Sequence, residues 1–393
     1  SYTAQLRNWC RAHGGRFSGH YFGEEMLVDH VRSYGNMLSV QRQSDYPGMD
    51  ILACWPEGYF PQDAKYVQMA ARKCGSNGFM AEVCPFDNPE EFGKAPFDNL
   101  LATMGLNYIS GVRTTQSYAE ADFSAFGDGR FRDFLPRNQD MFGQVRKYFD
   151  RAQMRQLNAY VGRMGLLLDG LQNQCTTVLY FGIEDVQAKY TPKHDCEVGA
   201  QAIGCDLATL RLLRAMLDEG RDFLFADAED LTEIARTGRL GGEEIRRILL
   251  PGLDVIRPEA LAALRQLKKA GVCVLFAEKL PHIDALSGQQ LQLAGEFEAV
   301  SVQEAVQIPD AQEPQFKTLS GPIVRQARYR TRDSKSMFFL LNPGRTESVV
   351  RLPGADARRC TALDPFTGTI TQERLNRDWT VPAVRGIFII IEE

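Results

Sequence analysis

The first 170 or so residues alternate between helical spacing of apolar positions and short apolar runs. The spacing predicts helices over residues 4–13, 26–40 and 64–74, and the apolar runs predict strands ending near Ser18 and covering residues 78–83 and 105–110. Each predicted strand follows a turn that contains glycine. This alternation is typical of parallel strands joined by crossover helices, as in a (β/α) barrel.

A complete eight-stranded barrel needs roughly 200 to 250 residues, and only about three of its strands can be counted before the pattern changes. We therefore expect a partial or incomplete (β/α) barrel. An open part-barrel exposes strand edges and an inner face that invite association. The missing half belongs to a preceding barrel segment, is replaced by a second copy in a homo-oligomer, or is replaced by loops of the chain itself; we favour the first.

A second parallel α/β unit follows a long helical pattern over residues 141–171. Its strands are predicted over residues 176–181, 223–226, 245–250 and 272–276, with helices over residues 207–219 and 258–270. A nucleophile turn would need a second glycine after Cys273, which instead lies inside a predicted strand, and no glycine-rich phosphate loop follows the first strand. Cys273 is therefore interpreted as a packed core thiol.

From residue 316 onward the apolar period becomes two. Short strands are predicted over residues 323–330, 336–342, 348–352, 360–363 and 386–392, and residues 364–368 (DPFTG) predict a tight turn. This pattern indicates a small antiparallel β-sandwich. The three predicted domains therefore cover residues 1–172, 173–312 and 313–393.

Composition and charge exclude some classes of partner. The formal charge is -5 with a pI near 5.7, and no Lys/Arg block with interleaved aromatics stands out, so a nucleic acid partner is not expected. No apolar run is long enough to span a membrane. The nine cysteines are dispersed without a CxxC pair, which favours a reducing compartment and a cytoplasmic location.

The densest group of site-like residues lies between residues 16 and 52, with His20, Glu24, Glu25 and Asp50. The two glutamates suit the positive end of a helix dipole, so they could simply favour a helix start. Alternatively, they point from a loop after a strand into a cleft, where one carboxyl donates a proton and another acts as base. Spacing alone leaves both interpretations open.

Glu82 is a lone acid in an apolar predicted strand, where burial is costly unless the carboxylate is paired or used. Either it forms a structural ion pair with an arginine such as Arg72 or Arg113, or it joins Glu24 or Glu25 as the carboxylate pair that cleaves a glycosidic bond. Trp55, in the loop CWPEGYFP, is a candidate platform for a sugar ring. Further candidate substrate contacts, at the predicted strand 105–110 and just after it, are Asn107 and Arg113.

Four short motifs carry a resemblance to a known family: GHYFGEEML, DYPGMDIL, MAEV and GLNYI. Together they resemble bacterial glycoside hydrolases related to the family 106 α-L-rhamnosidases. The order of domains is also similar to that of the family 42 β-galactosidases, which implies an amidotransferase-like second unit before the sandwich. In one departure from the pattern, no histidine follows GLNYI closely.

The resemblance implies a hydrolase acting on a rhamnoside-like or galactoside-like sugar. Glu24 or Glu25 would pair with Glu82 in catalysis, His20 and Asp50 would contact the sugar, and the rhamnosidase case implies inversion. No cofactor is required, although the resemblance allows a Ca²⁺ ion near the sugar. The alternative function is a non-catalytic carbohydrate-binding or assembly module derived from such an enzyme.

Overall fold

The computed structural model describes residues 2–51, 53–83, 89–117, 149–192, 200–308 and 314–392. Its first part forms a four-stranded parallel sheet in the order β1-β2-β3-β4. The elements in chain order are α1 (Tyr2–Ala12), β1 (Ser18–Gly19), α2 (Leu27–Tyr34), α3 (Met37–Gln41), β2 (Tyr46–Ile51), α4 (Pro61–Cys74), β3 (Phe79–Val83), α5 (Pro89–Lys94), α6 (Pro96–Ser110) and β4 (Val112–Ser117).

Three sequence predictions for this sheet were wrong. Residues 105–110 are the buried end of α6 and not a strand, and the next strand is β4. The strand β2 was missed. The single helix predicted over residues 26–40 is two helices, because Gly35 adopts φ +71° and the Asn36 side chain accepts a hydrogen bond from Ser39 N at 3.2 Å to start α3.

The second part is a five-stranded parallel sheet in the order β13-β11-β9-β5-β6. The predicted strands and both predicted helices are present, and three further helices, Ile183–Lys189, Ala228–Thr237 and Val302–Gln307, were missed. Its elements and the helix before it are α7 (Arg151–Leu168), β5 (Thr177–Tyr180), α8 (Ile183–Lys189), α9 (Ala200–Asp218), β6 (Leu224–Ala226), α10 (Ala228–Thr237), β7 (Arg239–Leu240), β8 (Glu243–Glu244), β9 (Arg247–Leu250), β10 (Val255–Ile256), α11 (Pro258–Lys269), β11 (Cys273–Ala277), β12 (Ile283–Asp284), β13 (Ala299–Val300) and α12 (Val302–Gln307).

The third part consists of two antiparallel sheets, β14-β17-β20 and β15-β16-β21-β18-β19. The DPFTG turn is confirmed, since Asp364 Oδ1 accepts from Phe366 N at 2.8 Å and Gly368 adopts φ +79°. The strands are β14 (Lys317–Ser320), β15 (Arg325–Arg330), β16 (Ser336–Asn342), β17 (Ser348–Arg351), β18 (Arg359–Leu363), β19 (Ile370–Arg374), β20 (Trp379–Val381) and β21 (Arg385–Ile391).

The fold is therefore a mixed α/β arrangement of parallel and antiparallel sheets. Apolar residues of the first sheet, α6, α7 and the third part share one core, which includes Met49, Ala81, Tyr160 and Phe339. The domain boundaries near residues 172 and 312 stay a prediction. No helix in the described ranges combines the length and apolar character needed to cross a membrane.

Candidate functional site

The two faces of the first sheet differ in polarity. Side chains alternate along a strand, so Met49, Ala81 and Val83 point together into the core beneath α4 and α6. The opposite face carries the row Asp50, Glu82 and Gln116, which are aligned by the strand register. These three side chains are half-buried or exposed, and the row lies toward the carboxyl ends of the strands. A polar open face at this end is where parallel α/β folds bind ligands.

Among the described residues, Glu82 is paired with a histidine and not with an arginine. Its Oε2 lies 3.1 Å from His20 Nε2, and its side chain is 18% exposed. An ionised carboxylate can only accept, so Nε2 is the donor when Glu82 carries its charge. Both predicted arginine partners lie elsewhere: Arg72 contacts Asp230, and Arg113 donates to backbone carbonyls. The two arginines named as partners of Glu82, Arg72 and Arg113, were therefore wrong.

Glu24 is fully buried and holds two backbone segments together. Its Oε1 accepts from Tyr21 N at 2.8 Å and its Oε2 accepts from Asp50 N at 2.7 Å, which fastens the loop after β1 to β2. Burial raises the pKa of Glu24 well above its usual range, against the lowering effect of these two N–H groups. The neighbouring charges of Glu25 and Asp50 raise the pKa further. Burial therefore disfavours the charged form of the Glu24 carboxyl.

Asp63 joins this group of acids and was missed by the sequence analysis. It lies in the first turn of α4, where it is buried, and its Oδ1 has no hydrogen-bond partner among the described residues. Burial raises its pKa well above the usual range, and repulsion by Glu25 and Glu24 adds to the effect. Pro61 at the start of the helix, followed two residues later by an acid, was the signal that could have revealed it.

Glu25 shares this electrostatic environment but is only half-buried. The structure thus brings together the loop acids Glu24 and Glu25, Asp50 at the end of β2 and Asp63 at the start of α4. Glu82 lies on the strand beside Asp50. In the described part of the chain, no set of three His, Cys, Asp or Glu side chains is arranged to hold a metal ion.

The other candidate sugar contacts, Trp55, Asn107 and Arg113, lie in three different environments. Trp55 is half-buried in the loop after β2, and its indole packs so closely on Gly58 that any side chain there would overlap it. Asn107 lies inside the buried α6 and accepts from the Tyr59 hydroxyl at 2.9 Å. Arg113 lies at the amino end of β4, where its guanidinium donates to the carbonyls of residues 108, 112 and 171. Neither Asn107 nor Arg113 contacts the Glu82–His20 pair.

Comparison with known proteins supports the fold. No family model matches the sequence, and no curated protein matches it. Among solved structures, the chain is similar to a rhamnosidase from Novosphingobium sp. PP1Y, with a TM-score of 0.62 and 16% identity over 100% of this chain and 38% of that one. It is also similar to a family 42 exo-carrageenase from Bacteroides ovatus, with a TM-score of 0.57 and 12% identity over 91% of this chain and 49% of that one.

A third similar structure is α-L-fucosidase isoenzyme 2 from Paenibacillus thiaminolyticus, with a TM-score of 0.56 and 13% identity over 100% of this chain and 70% of that one. The chain therefore has a glycoside hydrolase-like fold. At these identities the similarity does not single out family 106. The chain spans less than half the length of the rhamnosidase and of the exo-carrageenase.

Proposed function

We propose that the chain carries the sugar-binding face of a glycoside hydrolase and that Glu82 is one of its two catalytic carboxylates. The observation that carries the proposal is the position of Glu82 on the open polar face, held by His20 at 3.1 Å and aligned with Asp50. The glycoside hydrolase-like fold supports a carbohydrate as the substrate. The open sheet would then be the last part of a (β/α) barrel.

The second carboxylate is Glu25 and not Glu24 in this proposal. A carboxyl that exchanges protons with a substrate must reach it, and Glu24 is only 2% exposed with both oxygens bound to backbone N–H groups. Glu25 is half-buried beside it. Glu24 then acts as a positioning residue, because it fixes the loop that presents His20 and Glu25 against β2. Asp50 and Trp55 are the proposed sugar contacts.

In the proposed reaction, two carboxyl groups together hydrolyse a glycosidic bond. One protonates the oxygen of the leaving group, and the other attacks the anomeric carbon or activates a water molecule. The chemistry needs no cofactor. A Ca²⁺ ion near the sugar stays a prediction, which the activity after EDTA treatment and Ca²⁺ addition would test.

The test is hydrolysis of nitrophenyl glycosides, including rhamnoside, galactoside and fucoside, by the full chain. We expect Glu82→Gln and Glu25→Gln to lower kcat by about 100-fold or more, since a positioned acid or base contributes roughly 10²–10⁴ in rate. Glu244→Gln, which changes an exposed glutamate on the strand β8, is the matched control. Equal activity of Glu82→Gln and the control would refute the assignment.

A non-catalytic carbohydrate-binding module is the second candidate. It is favoured by the first sheet, which has four strands in the described ranges where a complete barrel has eight. In that case a sugar binds with an affinity that Asp50→Ala lowers, while no nitrophenyl glycoside is cleaved. Isothermal titration calorimetry with rhamnose and galactose distinguishes this outcome from catalysis.

A further inference from the structure

The five-stranded sheet contains a point where the strand order reverses. From β5 the chain moves to β6 on one side, and it then crosses to β9 and β11 on the other side. Open parallel sheets bind ligands in the crevice outside the carboxyl ends of the strands at such a point. This crevice lies in the second part of the chain, apart from the polar face of the first sheet.

A cavity of about 820 Å³ occupies this position. Its walls are the end of α8, one side of α9, and the segments that follow β9 and β11. The α9 wall is made of small residues, Gly204, Cys205 and Ala208, and a Cβ atom at Gly204 would meet no atom within 4 Å. The volume is within the range that small-molecule sites use, roughly 300–1,000 Å³.

The floor of the cavity is a closed ionic network around Lys189. Its ammonium donates to Asp185 Oδ2 at 3.0 Å and also to Asp254. Asp185 has no exposed side-chain surface, and its Oδ1 accepts from Val255 N at 2.9 Å. The two carboxylates of the floor, Asp185 and Asp254, are balanced by Lys189 together with Lys279, and these contacts fix the loop after β9.

The mouth of the cavity carries cations with donors to spare. The Nη2 atom of Arg211 donates to Glu278 Oε2 at 2.8 Å, and the Lys279 ammonium donates to Asp254. Both cationic side chains are about half exposed. His282 Nδ1 lies 3.7 Å from Asp254 Oδ1. Asp284 also borders the cavity, but its Oδ1 accepts from Leu286 N and Ser287 N within its own turn.

Glu278 is held in an uncommon backbone conformation at the same mouth. It follows β11 directly with φ +69°, although it is not glycine, and its N–H donates to Val300 O at 2.7 Å. Its carboxylate lies over Gly252, where an added Cβ atom would come within 3.3 Å of Oε2. Non-glycine residues persist in this conformation when the surrounding structure fixes them, and such residues cluster at functional sites.

We infer that this cavity binds a small molecule carrying an anionic group, a phosphate or a carboxylate, on a polar body. Arg211, Lys279 and His282 bind the anionic group, and Glu278 turns from Arg211 to accept from hydroxyl groups of the ligand. The wall of small residues on α9 gives room for the body. The site is independent of the proposed glycosidase chemistry.

The test is isothermal titration calorimetry of the full chain with ribose 5-phosphate, ribonate and ribose. We expect binding of ribose 5-phosphate or ribonate, weakened by added salt, and at least tenfold weaker binding of ribose. Whichever of the two anionic probes binds more tightly identifies the anionic group. Glu82→Gln leaves this binding unchanged, so failure here is distinguishable from failure of the proposed hydrolase function.

Two variants test the charge of the site and its free volume separately. Arg211→Gln combined with Lys279→Gln removes the cations, and Gly204→Leu fills the cavity without changing charge. Both are expected to weaken binding at least tenfold, while Arg265→Gln, which removes the exposed contact of Arg265 on α11 with Glu296, leaves it unchanged. The proposal is overturned if neither anion binds, if ribose binds equally well, or if either variant binds like the control while its thermal unfolding is normal.

Discussion

Replacing Glu184 by glutamine should make the protein less sensitive to alkaline pH. Glu184 lies in the first turn of α8, is buried, and accepts from the Tyr180 hydroxyl and from Arg257 N through the same oxygen, Oε1. Burial raises its pKa from 4.5 to about 7, against the lowering effect of the Tyr180 hydrogen bond. A glutamine can keep both hydrogen bonds through its carbonyl oxygen.

The sign and size of the effect follow from the two pKa values. The folded protein holds the Glu184 proton more tightly than the unfolded chain, so this stability is fully present below pH 4.5 and is lost as pH rises toward 7. The difference corresponds to about 3 kcal/mol in total, of which about 2.5 kcal/mol is lost between pH 5 and pH 8. Glu24, Asp63 and Asp206 also have raised pKa values, but they remain in both proteins and cancel.

The assay is urea denaturation of wild type and Glu184→Gln at pH 5 and pH 8. We expect the free energy of unfolding to fall by about 2.5 kcal/mol less in the variant than in wild type over this range. Glu244→Gln changes an exposed carboxyl and should follow wild type. If Glu184→Gln shows the same pH dependence as wild type, the carboxyl is ionised in the folded protein without cost and the reasoning from burial is wrong.

Three further variants test the packing of the fold, each by urea denaturation. Lys65→Met leaves Asp222 without its buried ammonium partner, and we expect a loss of about 3–5 kcal/mol, which Lys65→Met combined with Asp222→Asn should partly restore. Leu340→Ala removes a fully buried side chain of β16 and should cost about 2–5 kcal/mol; a loss below 1 kcal/mol would contradict the apolar core described for the third part. Asp150→Ala removes the capping box of α7 and should cost about 1 kcal/mol, whereas Asp150→Asn should cost less.

The sequence predicted secondary structure best where a run of apolar residues is bounded on both sides by polar turn residues. The strand β16 was predicted with its observed bounds, because residues 336–342 form an apolar run between polar turns. Four of the five strands of the second sheet were also predicted, since each of these buried strands is flanked by turns or helices, whereas the two-residue edge strand β13 was missed. The helix α10 was missed there, although Asp227 and Asp230 form a capping box at its start.

The first sheet was harder to predict from the sequence, because two of its segments lack the residue patterns that usually mark helices and strands. The end of α6 is buried on every side, so residues 105–110 show no helical period and read as a strand. The strand β2 contains Pro47 and Gly48, which argue against a strand. The structure explains Gly48: an added Cβ atom would lie 2.8 Å from Met80 Sδ and 2.9 Å from Gly19 O.

The candidate site was predictable in its residue types but not in its geometry. The loop acids and Glu82 were identified as chemically unusual, and Asp50 lies beside Glu82 in the sheet. Sequence alone could not tell that Glu24 is turned inward to two backbone N–H groups while Glu25 is half-buried. It also could not predict the contact between His20 and Glu82, which depends on the pairing of β1 with β2.

A crystal structure of the chain soaked with rhamnose or galactose would show whether Glu82 and Glu25 line a sugar site. We expect a sugar at the carboxyl ends of β1 to β4, with a hydroxyl or ring oxygen within hydrogen-bond distance of the Glu82 carboxylate and with Glu25 on the other side of the ring. A sugar bound elsewhere on the molecule, with the face around Glu82 and His20 occupied only by water, would contradict this expectation.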